Sequence, residues 1–381
     1  METSVPKQLP LGSKISLLIW MVFVAPVQVI FNITRCVAIA RSRHLPLRFY
    51  FTCGLLRVVL NKLTGRQLQF LLPGSTECYQ KWIAESRTEL GNGRNVAAVA
   101  NLRERIEMLP VKSSSIMWLG DPSTADKAVL FFHGGGYKAP MSAGHMEWCL
   151  QAYVYANPTL KVAVALLRYA LAPEAAYPVQ LSQASSALAH VLRAGFRPSD
   201  IIIGGDSAGG NLTSQLLGHL LRCHPKVEAV QIDEPLLGVF LVSPFLSART
   251  DTASFRENNY IDMLSAHSVS LAVADVFEGT DYETELLDGK GWALPTDIDG
   301  PWFDGVSRIC RNLYVTVGQH EVLRDHGVEF AECIALRNPG LDVRLEIAEK
   351  EAHDFILLEG NSKIVGDATT RMRTWFNSII S

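Results

Sequence analysis

From about residue 128 onward, short apolar runs alternate with longer stretches in which apolar residues recur every three or four positions. The short runs, 128–132, 162–167, 201–203, 236–242, 313–317 and 343–347, read as strands. The longer ones, 141–156, 179–194, about 325–337 and 364–380, read as helices, as does a stretch opening at Ala208 with Leu212, Leu216, Leu217 and Leu220 in helical register. This alternation predicts an α/β fold, a mostly parallel central sheet flanked by helices. Residues about 248–302 break the rhythm with scattered glycine, asparagine and aromatic residues and read as an insertion over the sheet, a helical lid. Residues 45–115 carry helical spacing, as in Leu55, Leu56, Val59, Leu60 and Leu63, and predict short helices forming an N-terminal lid region ahead of the main unit, 116–381.

The first 44 residues differ in kind. Ile15 to Thr34 holds no charge and is long enough to cross a bilayer as one helix. Lys14 and Arg35 bracket it, and Trp20, Arg41, Arg43 and Arg48 suit the interfaces, so the segment predicts a single-pass membrane anchor, with a signal peptide or a helix packed on the main unit as the alternatives. The arginines lie mostly after the span, which by the positive-inside tendency keeps the main unit cytosolic.

Composition narrows the possible functions. Across 381 residues, 48% hydrophobic and 19% charged content fits a globular chain with a large core, and a net charge of -3 offers no basic face for nucleic acid. Seven scattered cysteines include no C-x-x-C pair, which argues against a disulfide framework and a zinc site. The sequons at Asn32 and Asn211 abut the apolar span and fall on the Ala208 helix, both poor acceptor sites.

The chemistry gathers at the ends of predicted strands. Gly204-Gly205-Asp206-Ser207-Ala208-Gly209-Gly210 follows one strand and opens a helix, the strand-turn-helix context in which Gly-x-Ser-x-Gly presents a nucleophilic serine, here Ser207. His133-Gly134-Gly135-Gly136 follows an earlier strand, and such a loop offers backbone N–H groups to an oxyanion. Gly134, Gly135 and Gly136, with Ala208 after the nucleophile, are the candidate donors. A phosphate loop is disfavoured, because the Gly-Lys-Ser/Thr ending is missing. With partners in the chain order serine, acid, histidine, His353 just past the last predicted strand is the candidate base. His267 falls in the insertion, and His320 and His326 read as solvated or supporting residues. The acid falls after the penultimate strand, where Glu321 is favoured and Asp325, suited to starting the next helix, is the alternative.

Together with Arg168-Tyr169-Ala170-Leu171-Ala172-Pro173-Glu174 and Ala352-His353-Asp354-Phe355, these motifs resemble the hormone-sensitive-lipase-like branch of the α/β-hydrolase superfamily over about 110–380. The anchor and Trp302-Phe303-Asp304-Gly305 look most like fungal membrane-associated steryl acetyl hydrolases and related hydrolases of secondary metabolism. The family's acid is generally an aspartate where this chain has Glu321. The resemblance implies hydrolysis of a carboxylic ester through an acyl-serine, with short acyl groups on a hydrophobic alcohol such as a sterol, terpenoid or polyketide. It implies no metal or organic cofactor, gives Glu174 a scaffold role, and suggests the endoplasmic reticulum membrane with a lumenal side, opposite to the arginine bias. The alternative is a biosynthetic hydrolase-fold enzyme performing transacylation or an acid-base step.

Overall fold

Most of the apolar runs carry apolar side chains on both faces, and the chain folds accordingly around a sheet covered on both sides. A computed structural model describes residues 9–92, 102–298 and 300–380. The first eight residues of the expected anchor segment, 93–101 of the lid region, and 299 and 381 of the main unit lie outside the described residues. The strands are β1 (Ile106–Met108), β2 (Ser115–Leu119), β3 (Lys127–Phe132), β4 (Val162–Arg168), β5 (Ile201–Asp206), β6 (Gly238–Val242), β7 (Asn312–Gly318) and β8 (Asp342–Ala348). They lie in the order β1-β2-β4-β3-β5-β6-β7-β8. β2 runs antiparallel to β1 and β4, and all other neighbours are parallel.

Among the described residues, four helices precede the sheet: α1 (Leu11–Ser42, with a π turn at Trp20–Val24), α2 (Leu47–Lys62), α3 (Gly65–Leu71) and α4 (Ser75–Asn92). Within the main unit come α5 (Ala143–Cys149), α6 (Val179–Arg193), α7 (Ala208–Leu221), α8 (Ala253–Asn258), α9 (Ala266–Val276), α10 (Tyr282–Leu287), α11 (Arg324–Arg337), α12 (Phe355–Asn361) and α13 (Asp367–Ile380). Leu130, Phe132, Ile203, Leu241 and Val315 enter one core with α6, α7 and α11. The alternate residues Val129, Phe131, Ile202, Phe240 and Tyr314 enter a second core with α4, α5 and α13. That period of two, apolar on both sides, is what a buried parallel sheet requires.

The stretch 45–115 is not helical throughout, since β1 and the start of β2 close it. All five residues of β2 are buried, and so short an apolar run carries no period to mark it as strand. Between β6 and β7, the insertion supplies α8, α9 and α10, and its Phe255, Val269, Val276 and Phe277 join the first core. Helix α2 folds back along α1 so closely that a Cβ on Gly54 would come within 2.7 Å of Ile33 Cα. Ala40, Tyr50 and Cys53 of this pair bury against Ile261 of the insertion and against Ala352 and Phe355 on either side of His353.

Candidate active site

Strand β5 ends at Asp206 and α7 begins at Ala208, so Ser207 alone makes the turn. It does so at φ 50 and ψ -114, a conformation that an L-residue adopts only when its surroundings enforce it. They do: Ser207 N–H donates to Val242 O at 2.8 Å, and Phe245 N–H donates to Ser207 O at 3.1 Å. A Cβ on Gly205 or Gly209 would strike the Phe132 carbonyl, which is why both positions are glycine.

His353 sits between β8 and α12, and its Nε2 lies 3.0 Å from Ser207 Oγ. On the other side of the ring, Nδ1 lies 3.8 Å from Glu321 Oε2. Glu321 is fully buried, and its Oε2 accepts from Ser243 Oγ at 2.6 Å, while Ser243 Oγ accepts from the Asp354 N–H at 3.1 Å. Burial, then the Asp262 charge, pushes the Glu321 carboxyl well above the usual carboxylate range, with the Ser243 bond opposing. Burial also lowers His353 to about 4, against the pull of the Asp206 charge. Both partners thus resist charge at rest, and a proton arriving on His353 is stabilised where Glu321 is ionised.

Asp325 is occupied elsewhere. Its Oδ2 accepts from Ser254 N–H at 2.7 Å and its Oδ1 from Arg324 Nε at 2.9 Å, in the first turn of α11. His320 pairs with Arg43, Nδ1 to Nη1 at 3.2 Å. His326, expected to be solvated or supporting, is fully buried with its ring 5.7 Å from that of Phe255, because α11 turns that face inward.

The glycine loop is braced from below. His133 stacks on Tyr169 at 4.3 Å, and Tyr169 Oη donates to His133 O at 2.6 Å, the support implied for the Arg168–Glu174 stretch. Glu174 itself is on the surface, 3.7 Å from Arg66. Gly134, one of the four expected oxyanion donors, commits its N–H to Asp206 Oδ2 at 3.0 Å because that buried carboxylate lies directly beneath it. Gly135, Gly136 and Ala208 are left as the candidate donors, and Gly135 at φ 102 occupies backbone space that favours glycine. Asp206 faces Asp354. Burial and the Asp206 charge push Asp354 well above its ordinary range, while Asp206, against its own burial, is held low by His145.

Ser243, Asp206 and Asp354 hold the site without belonging to a chemical motif of their own. The adjacency of Asp206 and Asp354 to Ser207 and His353 was the available signal for two of them; Ser243 offered none. Asn211 is buried, accepting from Tyr137 Oη at 2.6 Å and donating to Ala293 O at 2.8 Å, so its sequon faces the interior. Among the described residues, no group of three His, Cys, Asp or Glu side chains is placed to hold a metal ion.

The family model described as alpha/beta hydrolase fold matches residues 129–357, from β3 through the glycine loop and Ser207 to just past His353. The chain belongs to the alpha/beta hydrolase fold family. Lipase 2 of Moraxella sp. (strain TA144) is 25% identical to this family member over 287 residues, 68% of this chain and 61% of the lipase. Human arylacetamide deacetylase-like 2 is 27% identical over 277 residues, 60% of this chain and 67% of that protein. The chain therefore spans less than two thirds of the Moraxella lipase. In fold, this alpha/beta hydrolase is similar to an esterase from the bacterial hormone-sensitive lipase family, with 20% identity, a TM-score of 0.56, and coverage of 86% of this chain and 97% of that one.

Proposed function

We propose that the protein is a serine carboxylic-ester hydrolase that removes a short acyl group, acetyl in the simplest case, from a hydrophobic alcohol. The observation that carries this reading is the 3.0 Å contact between His353 Nε2 and Ser207 Oγ on a turn beside the glycine loop. Named esterases and deacetylases among its relatives support the same reaction class.

In this mechanism Ser207 Oγ attacks the ester carbonyl carbon as its proton passes to His353 Nε2, and the carbonyl electron pair moves onto oxygen. The N–H groups of Gly135, Gly136 and Ala208 receive that oxyanion, and each such donor typically contributes about 2.7–4 kcal/mol to the transition state. Collapse breaks the bond to the alcohol oxygen, which takes the proton from His353. Water, deprotonated by His353, then releases the acid and restores Ser207. Ionised Glu321 orients the imidazole and stabilises its protonated form.

Helix α1 supports a membrane location. Phe23, Val27, Ile30 and Phe31 are 61–73% exposed on a helix of 32 residues, long enough for a single span. Held in a bilayer, the endoplasmic reticulum in this proposal, the enzyme meets esters that partition there, which favours apolar alcohols. The test is hydrolysis of nitrophenyl esters from acetate to palmitate by the full chain and by Ser207→Ala. The reading predicts short-chain activity that vanishes in the variant. Equal activity in both, or a preference for palmitate, contradicts it.

A further inference from the structure

One carboxylate of the insertion touches both loops that carry the acid and the base. Asp262, just past α8, is fully buried. Its Oδ2 accepts from the N–H of Val322, the residue after Glu321, at 2.8 Å. Its Oδ1 accepts from the N–H of His353 itself at 3.2 Å and from the Met263 N–H at 2.7 Å. The same turn is gripped from the other side by Arg57 of α2, 8% exposed, whose guanidinium donates to the carbonyls of Asn259, Asp262 and Leu264 at 2.5, 2.8 and 2.5 Å. Asn258 adds bonds from Nδ2 to Gln319 O at 3.1 Å and Glu321 O at 3.0 Å.

The acid and base lack such a tie between themselves. At 3.8 Å they are beyond a hydrogen bond, and among the described residues His353 Nδ1 and Glu321 Oε1 have no hydrogen-bond partner. Their spacing is set by what holds their backbones. A carboxylate suits that task because its two oxygens accept several N–H groups at once, whereas an amide keeps one acceptor oxygen and turns an NH2 toward an N–H.

We propose that Asp262 is a positioning residue for the Glu321–His353 pair, its two oxygens fixing the distance between their loops, with Arg57 holding the Asp262 turn in place. The N-terminal helices thereby become part of the frame of the site. This inference rests on the ester-hydrolase reading above.

The experiment compares nitrophenyl acetate hydrolysis by the full chain, Ser207→Ala, Asp262→Asn, Arg57→Lys and Glu359→Gln, with thermal midpoints measured alongside. Glu359 is the control, an equally buried carboxylate that accepts from the Gly366, Ala368 and Thr369 N–H groups at 3.2, 3.0 and 2.8 Å, between α12 and α13. Asp262→Asn is expected to lower kcat by roughly 100-fold, the effect of an ångström-scale misplacement, with KM nearly unchanged. Arg57→Lys is expected to lower kcat less, and Glu359→Gln to lower the thermal midpoint while leaving kcat near wild type. A wild-type kcat in Asp262→Asn, or a loss no larger than that in Glu359→Gln at a matched thermal midpoint, overturns the inference. If Asp262→Asn does not fold, Arg57→Lys decides, and a wild-type kcat there overturns it. An inactive wild type, or an active Ser207→Ala, overturns the ester-hydrolase reading and this inference with it.

Discussion

Glu321 and Asp325 lie four residues apart in one short segment, and the fold assigns them different tasks. Glu321 is buried 3.8 Å from the His353 ring, whereas Asp325 sits in the first turn of α11 with its oxygens on Ser254 and Arg324. Glu321→Gln is therefore expected to lower kcat by roughly 10,000-fold, as loss of the orienting carboxylate does in serine hydrolases. Asp325→Asn is expected to spare kcat and cost about 0.3–1 kcal/mol of stability, the usual worth of a carboxylate at a helix N-terminus; steady-state kinetics and urea denaturation check the pair. In the proposed mechanism the active form has neutral His353 and ionised Glu321. With His353 lowered to about 4 and Glu321 raised above its ordinary range by burial, the Glu321 ionisation sets the acidic limb. kcat/KM should fall as pH drops through that raised value, and a plateau extending down to pH 4 would contradict the assignment. Ser207 and His353 were legible because each sits in a local motif at a strand end; chain order pointed to the segment holding Glu321 and Asp325, and the fit of Asp325 to a helix start favoured Glu321. Ser243 and Asp262 were not, because their bonds to Glu321 and His353 span 78 and 91 residues. Gly134 shows the same limit in reverse: the motif names three glycines, but the Asp206 carboxylate that claims one N–H lies 72 residues on.

At the scale of elements, β3 to β8 followed the apolar runs to within a few residues: the inner strands are buried on both faces and so read as hydrophobic strings, and β8 at the edge alternates Val343, Leu345 and Ile347 with Arg344 and Glu346. The strands β1 and β2 at one end of the sheet did not, being short and set in a segment with helical spacing on its earlier side. Helix α12 was also missed, as its seven residues give too few turns for a period. The edge has an electrostatic anchor. Glu107 of β1 lies 2.6 Å from His190 Nε2 on α6 and accepts from Trp118 Nε1 at 3.1 Å and Arg105 Nε at 2.7 Å. Although its partial burial works the other way, these bonds lower its pKa from 4.5 to about 2. A depressed carboxylate contributes stability that is present above its ordinary pKa and is lost as pH falls from there through the folded value. Glu107→Gln should remove that contribution, so the stability difference from wild type, followed by urea denaturation, should be full above pH 4.5 and shrink toward pH 2. A difference that is constant across that range would contradict the assignment.

Over the whole molecule, α1 divides between two environments. Its middle part exposes Phe23, Val27, Ile30 and Phe31, although Leu17 before them packs with Leu63 and Leu68, while Cys36 and Ala40 near its end are fully buried, Ala40 against the loops around the site. The expected anchor segment, 1–44, thus includes residues that pack on the main unit. A chain beginning at residue 32 is expected to stay folded and active and to lose flotation with lipid vesicles. One beginning at residue 45 should lose about 2–5 kcal/mol, the scale of removing well-packed core side chains, as urea denaturation would show. The whole account turns on Ser207 becoming acylated, and one measurement addresses that directly: rapid quenching of the full chain with nitrophenyl acetate, followed by peptide mass mapping. The prediction is one acetyl group on the peptide containing Ser207, formed before steady-state turnover and absent in Ser207→Ala. Turnover at the wild-type rate with no acetyl on Ser207 would contradict it.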